Sequence, residues 1–135
     1  MRCLIDTNIV ISAVLWPNSV PARAYQKAIT SPFHAYLSSY SIIELRNVFA
    51  RKFPHKQDVL EVFIVQLQKS VTIIEALEPD ALDLAQPRLR DIKDEPILDS
   101  ALKAEVDYLI TGDKDFLEAT LLRPKVLSAK EFLDL

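Results

Sequence analysis

The sequence predicts a three-layer α/β/α domain built on a central, mostly parallel sheet of about five strands. Short apolar or β-branched runs alternate with stretches of helical periodicity along the chain. No internal repeat, low-complexity tract or dividing linker interrupts that alternation. Strands separated by helices pair side by side in parallel, and the helices cover both faces of the sheet. A chain of 135 residues suits a single domain over 1–135, long enough to bury a real core.

The elements follow in order. Residues 2–5 read as a first strand, followed by a helical turn through Ile9, Val10, Ala13 and Val14. Pro21, tolerated in a first turn, opens a helix with Ala24, Tyr25, Ala28 and Ile29 on its apolar face. Residues 33–38 are the second strand, and residues 41–52 a helix with Ile42, Leu45, Val48 and Phe49 on one side. Pro54 breaks the chain; the next helix runs to about Lys69 on Leu60, Phe63, Ile64 and Leu67. Val71 to Ile74 is a β-branched run, the third strand. Residues 75–93, punctuated by Pro79 and Pro87, hold at most a short helix near Ala81–Ala85. A helix from Pro96 to Glu105, a strand at Tyr108–Thr111, a helical turn at 113–118, a strand near Val126 and a short helix at 128–134 complete the chain.

Composition narrows the chemistry. Half the residues are hydrophobic and 26% charged, a globular balance. The opening Met1-Arg2-Cys3-Leu4-Ile5-Asp6 does not resemble a signal peptide, and no apolar run reaches the roughly 18 residues of a membrane span. A cytoplasmic protein is expected. Cys3 is the only cysteine, which excludes an internal disulfide and a cysteine-rich zinc site. The only glycine, Gly112, excludes phosphate-cradling loops that need several glycines close together. The net charge of −3 runs against a strongly electrostatic nucleic-acid binder, unless some of the acids are committed to cations.

In parallel sheets ligands bind beyond the carboxyl ends of the strands. Four acids fall there: Asp6 after the first strand, Glu44 in the first turn of the helix after the second, Asp94 where the helix of residues 96–105 begins, and Asp113 after the fourth strand. Each also has a structural reading. Asp6, Asp94 and Asp113 suit helix N-caps, and Ser41-Ile42-Ile43-Glu44 matches a capping box. Together the structural reading weakens, because carboxylates about 5 Å apart repel by roughly 1–3 kcal/mol per pair. Four in one cleft call for a cation or bound protons. Ligands that are all oxygen suit Mg²⁺ or Mn²⁺ rather than zinc. His34 and His55 lie away from these turns and read as ordinary surface or core residues.

Asp6-Thr7-Asn8 after an N-terminal strand, Ser39 to Arg46 with its Glu44-Leu45-Arg46 ending, Asp94-x-x-Ile97-Leu98 opening a helix, and Thr111-Gly112-Asp113-Lys114-Asp115-Phe116 after the penultimate strand together resemble PIN domains. The likeness covers essentially the whole chain and is strongest to the toxin components of bacterial and archaeal toxin–antitoxin pairs, the VapC-like proteins. It implies a metal-dependent ribonuclease that hydrolyses RNA phosphodiester bonds, with Mg²⁺ or Mn²⁺ held by Asp6, Glu44, Asp94 and Asp113. On the same basis Asn8 matches a polar residue supporting the first acid, and Thr111 the hydroxyl before the last. Glu95 and Asp99, four apart on one helical face, are alternatives or additions to Asp94 as the third ligand, and Asp115 is an auxiliary acid. The resemblance also implies an antitoxin partner and a homodimer.

RNA needs cations to hold it. Arg46, Arg51 and Lys52 follow Glu44, Arg88, Arg90 and Lys93 precede Asp94, and Lys114 lies beside Asp113. Of these Arg46, Arg51 and Lys114 are the candidates, although scattered charges are often only a solvated face. Val59, Val62 and Val65 lie outside the core stripe of their helix, as expected of a surface covered by another element or a second copy. Two rival readings remain open. A phosphotransferase with a nucleophilic aspartate needs a second Asp two residues on, where this chain has Asn8. A catalytically silent module that binds RNA or protein keeps the fold without turnover. Cleavage of RNA with Mn²⁺, with and without EDTA, separates the second from the nuclease.

Overall fold

In the computed structural model, residues 1–76, 95–118 and 124–135 are described, with Glu95 and Asp115 as backbone only. Five parallel strands form one sheet in the order β3-β2-β1-β4-β5: β1 (Arg2–Ile5), β2 (His34–Ser38), β3 (Thr72–Ile74), β4 (Tyr108–Ile110) and β5 (Lys125–Leu127). The helices are α1 (Thr7–Leu15), α2 (Val20–Ala28), α3 (Ser39–Lys52), α4 (Gln57–Ser70), α5 (Glu95–Lys103), α6 (Lys114–Leu117) and α7 (Ala129–Leu133). The three-layer, parallel α/β/α architecture expected from the sequence is therefore the one observed. The expected short helix near Ala81–Ala85 lies outside the described residues.

Strand alternation sorts the side chains into two layers. Cys3 and Ile5 of β1, Ala35 and Leu37 of β2 and Ile110 of β4 join a core with α1, α2, α3, α4 and α7. Leu4 and Leu109 point the other way, onto Ile97, Leu98 and Ala101 of α5 and Phe116 of α6. Fully buried Phe49, Phe116 and Phe132 anchor these layers, each such side chain contributing about 1.5–3 kcal/mol of burial.

Two helices start earlier than the sequence patterns indicate. The stretch read as a helical turn after β1 is a nine-residue helix. Asp6 accepts the Thr7 N–H at its start, and its buried residues Ile9, Val10, Ala13 and Val14 carry it onto the core. Helix α3 begins at Ser39, because Ser38 caps it by accepting the Tyr40 N–H. This overturns the structural reading of Ser41–Glu44 as a capping box. Ser41 lies inside the helix, and Glu44 is in its second turn. The same four-residue pattern forms a true capping box at Ser128–Glu131. Among the described residues, no helix is long and apolar enough to cross a membrane.

Candidate metal centre

The chain passes outward from β1 through β2 to β3, then crosses to the other side of β1 for β4 and β5. The strand order reverses between β1 and β4, and in open parallel sheets the crevice at such a reversal is where ligands sit. Asp6 is the residue after β1; Thr111 and Asp113 follow β4. The register pairs Ile5 with Ile110, so the next residue on each strand, Asp6 and Thr111, stands level at the carboxyl edge. The same step along β2 brings Ser38 level with Asp6.

Asp6 is 3% exposed. Its backbone N–H donates to Ile110 O (2.9 Å), its Oδ1 accepts the Thr7 N–H (2.7 Å) and its Oδ2 accepts the Thr111 hydroxyl (2.6 Å). Burial pushes its carboxyl up from the ordinary 3.8 to about 6. The two hydrogen bonds resist that rise, and the nearby charge of Asp113 adds to it. Asp113, half-buried, donates its N–H to Thr111 Oγ1 (3.0 Å), so one hydroxyl ties the two acids together.

Glu44 reaches the same edge from α3. Thr7 Oγ1 lies 2.8 Å from Glu44 Oε1 and 2.8 Å from Ser41 Oγ. On the α5 side, Ser100 Oγ lies 2.9 Å from Ser38 Oγ and 3.0 Å from Pro96 O. Every buried polar or charged residue among those described belongs to this edge: Asp6, Thr7, Ser38, Ser41, Ser100 and Thr111. Buried polar groups are costly unless paired, so their concentration at one place marks it chemically. The sequence reading missed Thr7, Ser38, Ser41 and Ser100. The available signal was adjacency: Thr7 follows Asp6, and Ser41 precedes Glu44 by three residues, which puts both on one helical face.

Asp94 lies outside the described residues, as do the side chains of Glu95 and Asp115. Glu95 opens α5, the helix that the Ser100–Ser38 contact pins to the carboxyl end of β2. One turn further on, Asp99 Oδ2 pairs with Lys103 Nζ (3.1 Å). Asn8 stands exposed on the first turn of α1, and Asp6 is held instead by Thr7 and Thr111. Among the described residues, no three His, Cys, Asp or Glu side chains are grouped closely enough to hold a metal ion. The Thr111 hydroxyl links the Asp6 carboxylate to the Asp113 backbone N–H, and Thr7 links Asp6, through its N–H, to Glu44, through its hydroxyl.

Arg46 is engaged by Glu61 of α4 through Nε (3.2 Å) and Nη2 (3.0 Å), with both side chains 53% exposed. Arg51 is exposed in the last turn of α3, about 10 Å along the helix axis from Glu44. Lys114 is exposed beside Asp113. His34 is exposed, stacked on Tyr36 and bonded to Thr72 (2.8 Å), and His55 is exposed beyond α3. A concavity of about 620 Å³ is lined by Ala101, Glu105, Asp107 and Lys125 at the opposite edge of the sheet. None of the acids described at the carboxyl edge lines it.

A parallel α/β domain with paired acids at its strand-order reversal is the class that fold and site define. The family model described as PIN domain matches residues 2–115, and the chain belongs to that family. No curated protein matches it significantly. Among solved structures it resembles VapBC2 from Rickettsia felis bound to a DNA fragment from their promoter (TM-score 0.69, 16% identity, 95% of this chain and 98% of that one). It also resembles FitAcB from Neisseria gonorrhoeae (0.62, 20%, 95% and 98%). The third likeness is to Mycobacterium tuberculosis VapC20, a Sarcin-Ricin loop cleaving toxin (0.63, 13%, 86% and 93%). At these identities the likeness is one of fold.

Proposed function

We propose that the protein is a Mg²⁺- or Mn²⁺-dependent endoribonuclease, the toxin of a cytoplasmic toxin–antitoxin pair. The observation that carries this reading is the Asp6–Thr111–Asp113 arrangement: a buried carboxylate, raised to about 6 and facing a second acid at the strand-order reversal. Such a pair is strained as a purely structural feature and suited to a hard cation. Asp6 and Asp113 are the principal ligands; Glu44 and Asp94 complete the set, with Glu95, Asp99 and Asp115 as auxiliary acids. When bound, the cation supplies charge neutralisation at the phosphate and a more acidic water. The chain's own residues do the rest. Thr111 and the Thr7 N–H keep Asp6 oriented, and Glu44, held by Thr7, directs the attacking water.

Lys114, beside Asp113, is the basic residue best placed to meet the RNA backbone, with Arg46 and Arg51 further along α3. Two proteins of similar fold, VapBC2 and the Sarcin-Ricin loop cleaving toxin VapC20, support an antitoxin as the protein partner and RNA as the substrate. Val59, Val62 and Val65, at 53%, 67% and 52% exposure, form an apolar stripe on α4, which we assign to a homodimer interface.

Incubation of structured and unstructured RNA with Mn²⁺ tests the activity. Wild type should cleave, EDTA should stop it, and Asp6→Asn should lower the rate by about 10²-fold or more, an effect of about 3 kcal/mol or more on the barrier. Undiminished cleavage by Asp6→Asn would assign the activity to a contaminant.

A further inference from the structure

Thr7 does two jobs with two different atoms. Its backbone N–H donates to Asp6 Oδ1 (2.7 Å), and its hydroxyl contacts both Glu44 Oε1 and Ser41 Oγ at 2.8 Å. A threonine hydroxyl has a single proton. An ionised Glu44 has no proton to give, so a 2.8 Å contact between the two oxygens requires the proton to come from Thr7. Ser41 must then donate to Thr7. With Glu44 ionised the order is Ser41 O–H to Thr7 O–H to Glu44 carboxylate, each donor strengthened by the one behind it and ending on a charge. Thr7 and Ser41 are both buried, which keeps water from replacing the bond between them.

The placement follows from the chain. Thr7 is the first residue of α1 and Ser41 and Glu44 share one face of α3, so the chain of hydroxyls spans two helices that are remote in sequence. We infer that Thr7, backed by Ser41, is a positioning residue that sets the orientation of Glu44 relative to Asp6. The inference rests on the metal-centre reading above and extends it to a residue outside the acidic set. Removing the hydroxyl leaves Asp6 its backbone donor but takes from the Glu44 carboxylate the hydrogen bond that Thr7 gives it. Residues that orient metal ligands through hydrogen bonds typically change affinity by about 10–100-fold when lost.

Mn²⁺ titration of the intact protein, followed by calorimetry or by the EPR signal of free Mn²⁺, tests this. Thr7→Val, close in shape, should weaken Mn²⁺ binding by about 10–100-fold, and Thr7→Ser should restore it to within about 3-fold. Ser41→Ala breaks the chain behind the donor and should weaken binding by less than Thr7→Val does. In a Glu44→Gln background, Thr7→Val should add little further loss, because the two changes remove one interaction. If wild type binds Mn²⁺ and Thr7→Val binds within 2-fold of it, Thr7 does not position Glu44 and the metal centre stands. Equal losses with and without Glu44 would likewise overturn the positioning role. Should Thr7→Val fail to fold, Ser41→Ala and Thr7→Ser decide: an affinity unchanged in the first, or lost in the second, overturns the chain. Absence of Mn²⁺ binding by wild type would remove the metal centre and Thr7's role with it.

Discussion

Asp6→Asn should make the metal-free protein more stable, not less. The carboxyl is pushed up to about 6 from an ordinary 3.8, so the folded state holds its proton more tightly than the unfolded chain does. Stability from that difference is fully present below pH 4 and is lost as pH rises through 6. Above pH 7 the ionised, buried Asp6 costs about 3 kcal/mol, the free-energy equivalent of that difference. Asparagine abolishes the charge and keeps an oxygen for the Thr7 N–H. Its amide cannot accept the Thr111 proton, and losing that bond costs about 1 kcal/mol. The balance at pH 7.5 is a gain of about 2 kcal/mol, or roughly 5–10 °C in Tm for a chain of this size. Near pH 4.5, where most of the wild-type carboxyl is already protonated when folded, the advantage should vanish. Calorimetric or urea unfolding in EDTA from pH 4 to 8 reads both numbers. Adding Mn²⁺ at about 100 times its Kd should stabilise wild type by about 2.7 kcal/mol and reverse the ranking. An Asp6→Asn protein no more stable than wild type at pH 7.5 in EDTA, with an unchanged pH slope, would refute the reasoning.

Two further outcomes concern the surface. The Arg46–Glu61 pair is half-exposed and contributes at most about 1 kcal/mol, so Arg46→Ala should hardly alter unfolding while weakening RNA binding several-fold at low salt. Glu61→Gln, which releases the guanidinium, should tighten it, and a filter-binding assay showing no change in either variant removes Arg46 from the RNA surface. For the valine stripe of α4, light scattering at micromolar concentration should give a dimer for wild type and a monomer for Val62→Lys; a monomeric wild type rejects that interface.

The layer order was legible because it depends on apolar periodicity, and Ile5, Leu37, Phe49 and Phe116 lie where strand alternation and helical stripes place them. Helix starts were less legible because several hydroxyls compete for them. Ser41-x-x-Glu44 and Ser128-x-x-Glu131 are the same pattern, yet only the second is a capping box. At the first, Ser38 has already taken the cap, and that choice depends on where β2 ends, a matter of pairing with β1 and β3 rather than of local sequence. The acids Asp6, Glu44 and Asp113 were readable one by one as residues past strand ends. Of the hydroxyls between them, Thr111 was legible only through the family resemblance and Thr7 and Ser41 were not, since a Ser or Thr near an acid is common, and only three-dimensional register shows that Thr111 is level with Asp6.

That difference bears on what the buried hydroxyls are for. A core seeking stability alone gains little from Thr7, Ser41 and Thr111, because replacing both partners of a buried hydrogen bond with apolar groups of like shape is close to neutral. Here the partners at the ends of two of these chains are carboxylates, which cannot be exchanged for apolar groups if they are to hold a cation. The hydroxyls are therefore tied to the acids: Asp113 N–H to Thr111 to Asp6 on one side, Ser41 to Thr7 to Glu44 on the other. Both chains of donors converge on acids at the same strand-order reversal, and the backbone N–H of Thr7 joins the second chain to Asp6. The metal-free fold is thus organised around negative charge that it accommodates at a cost, and binding of a cation and stabilisation of this edge should be one event.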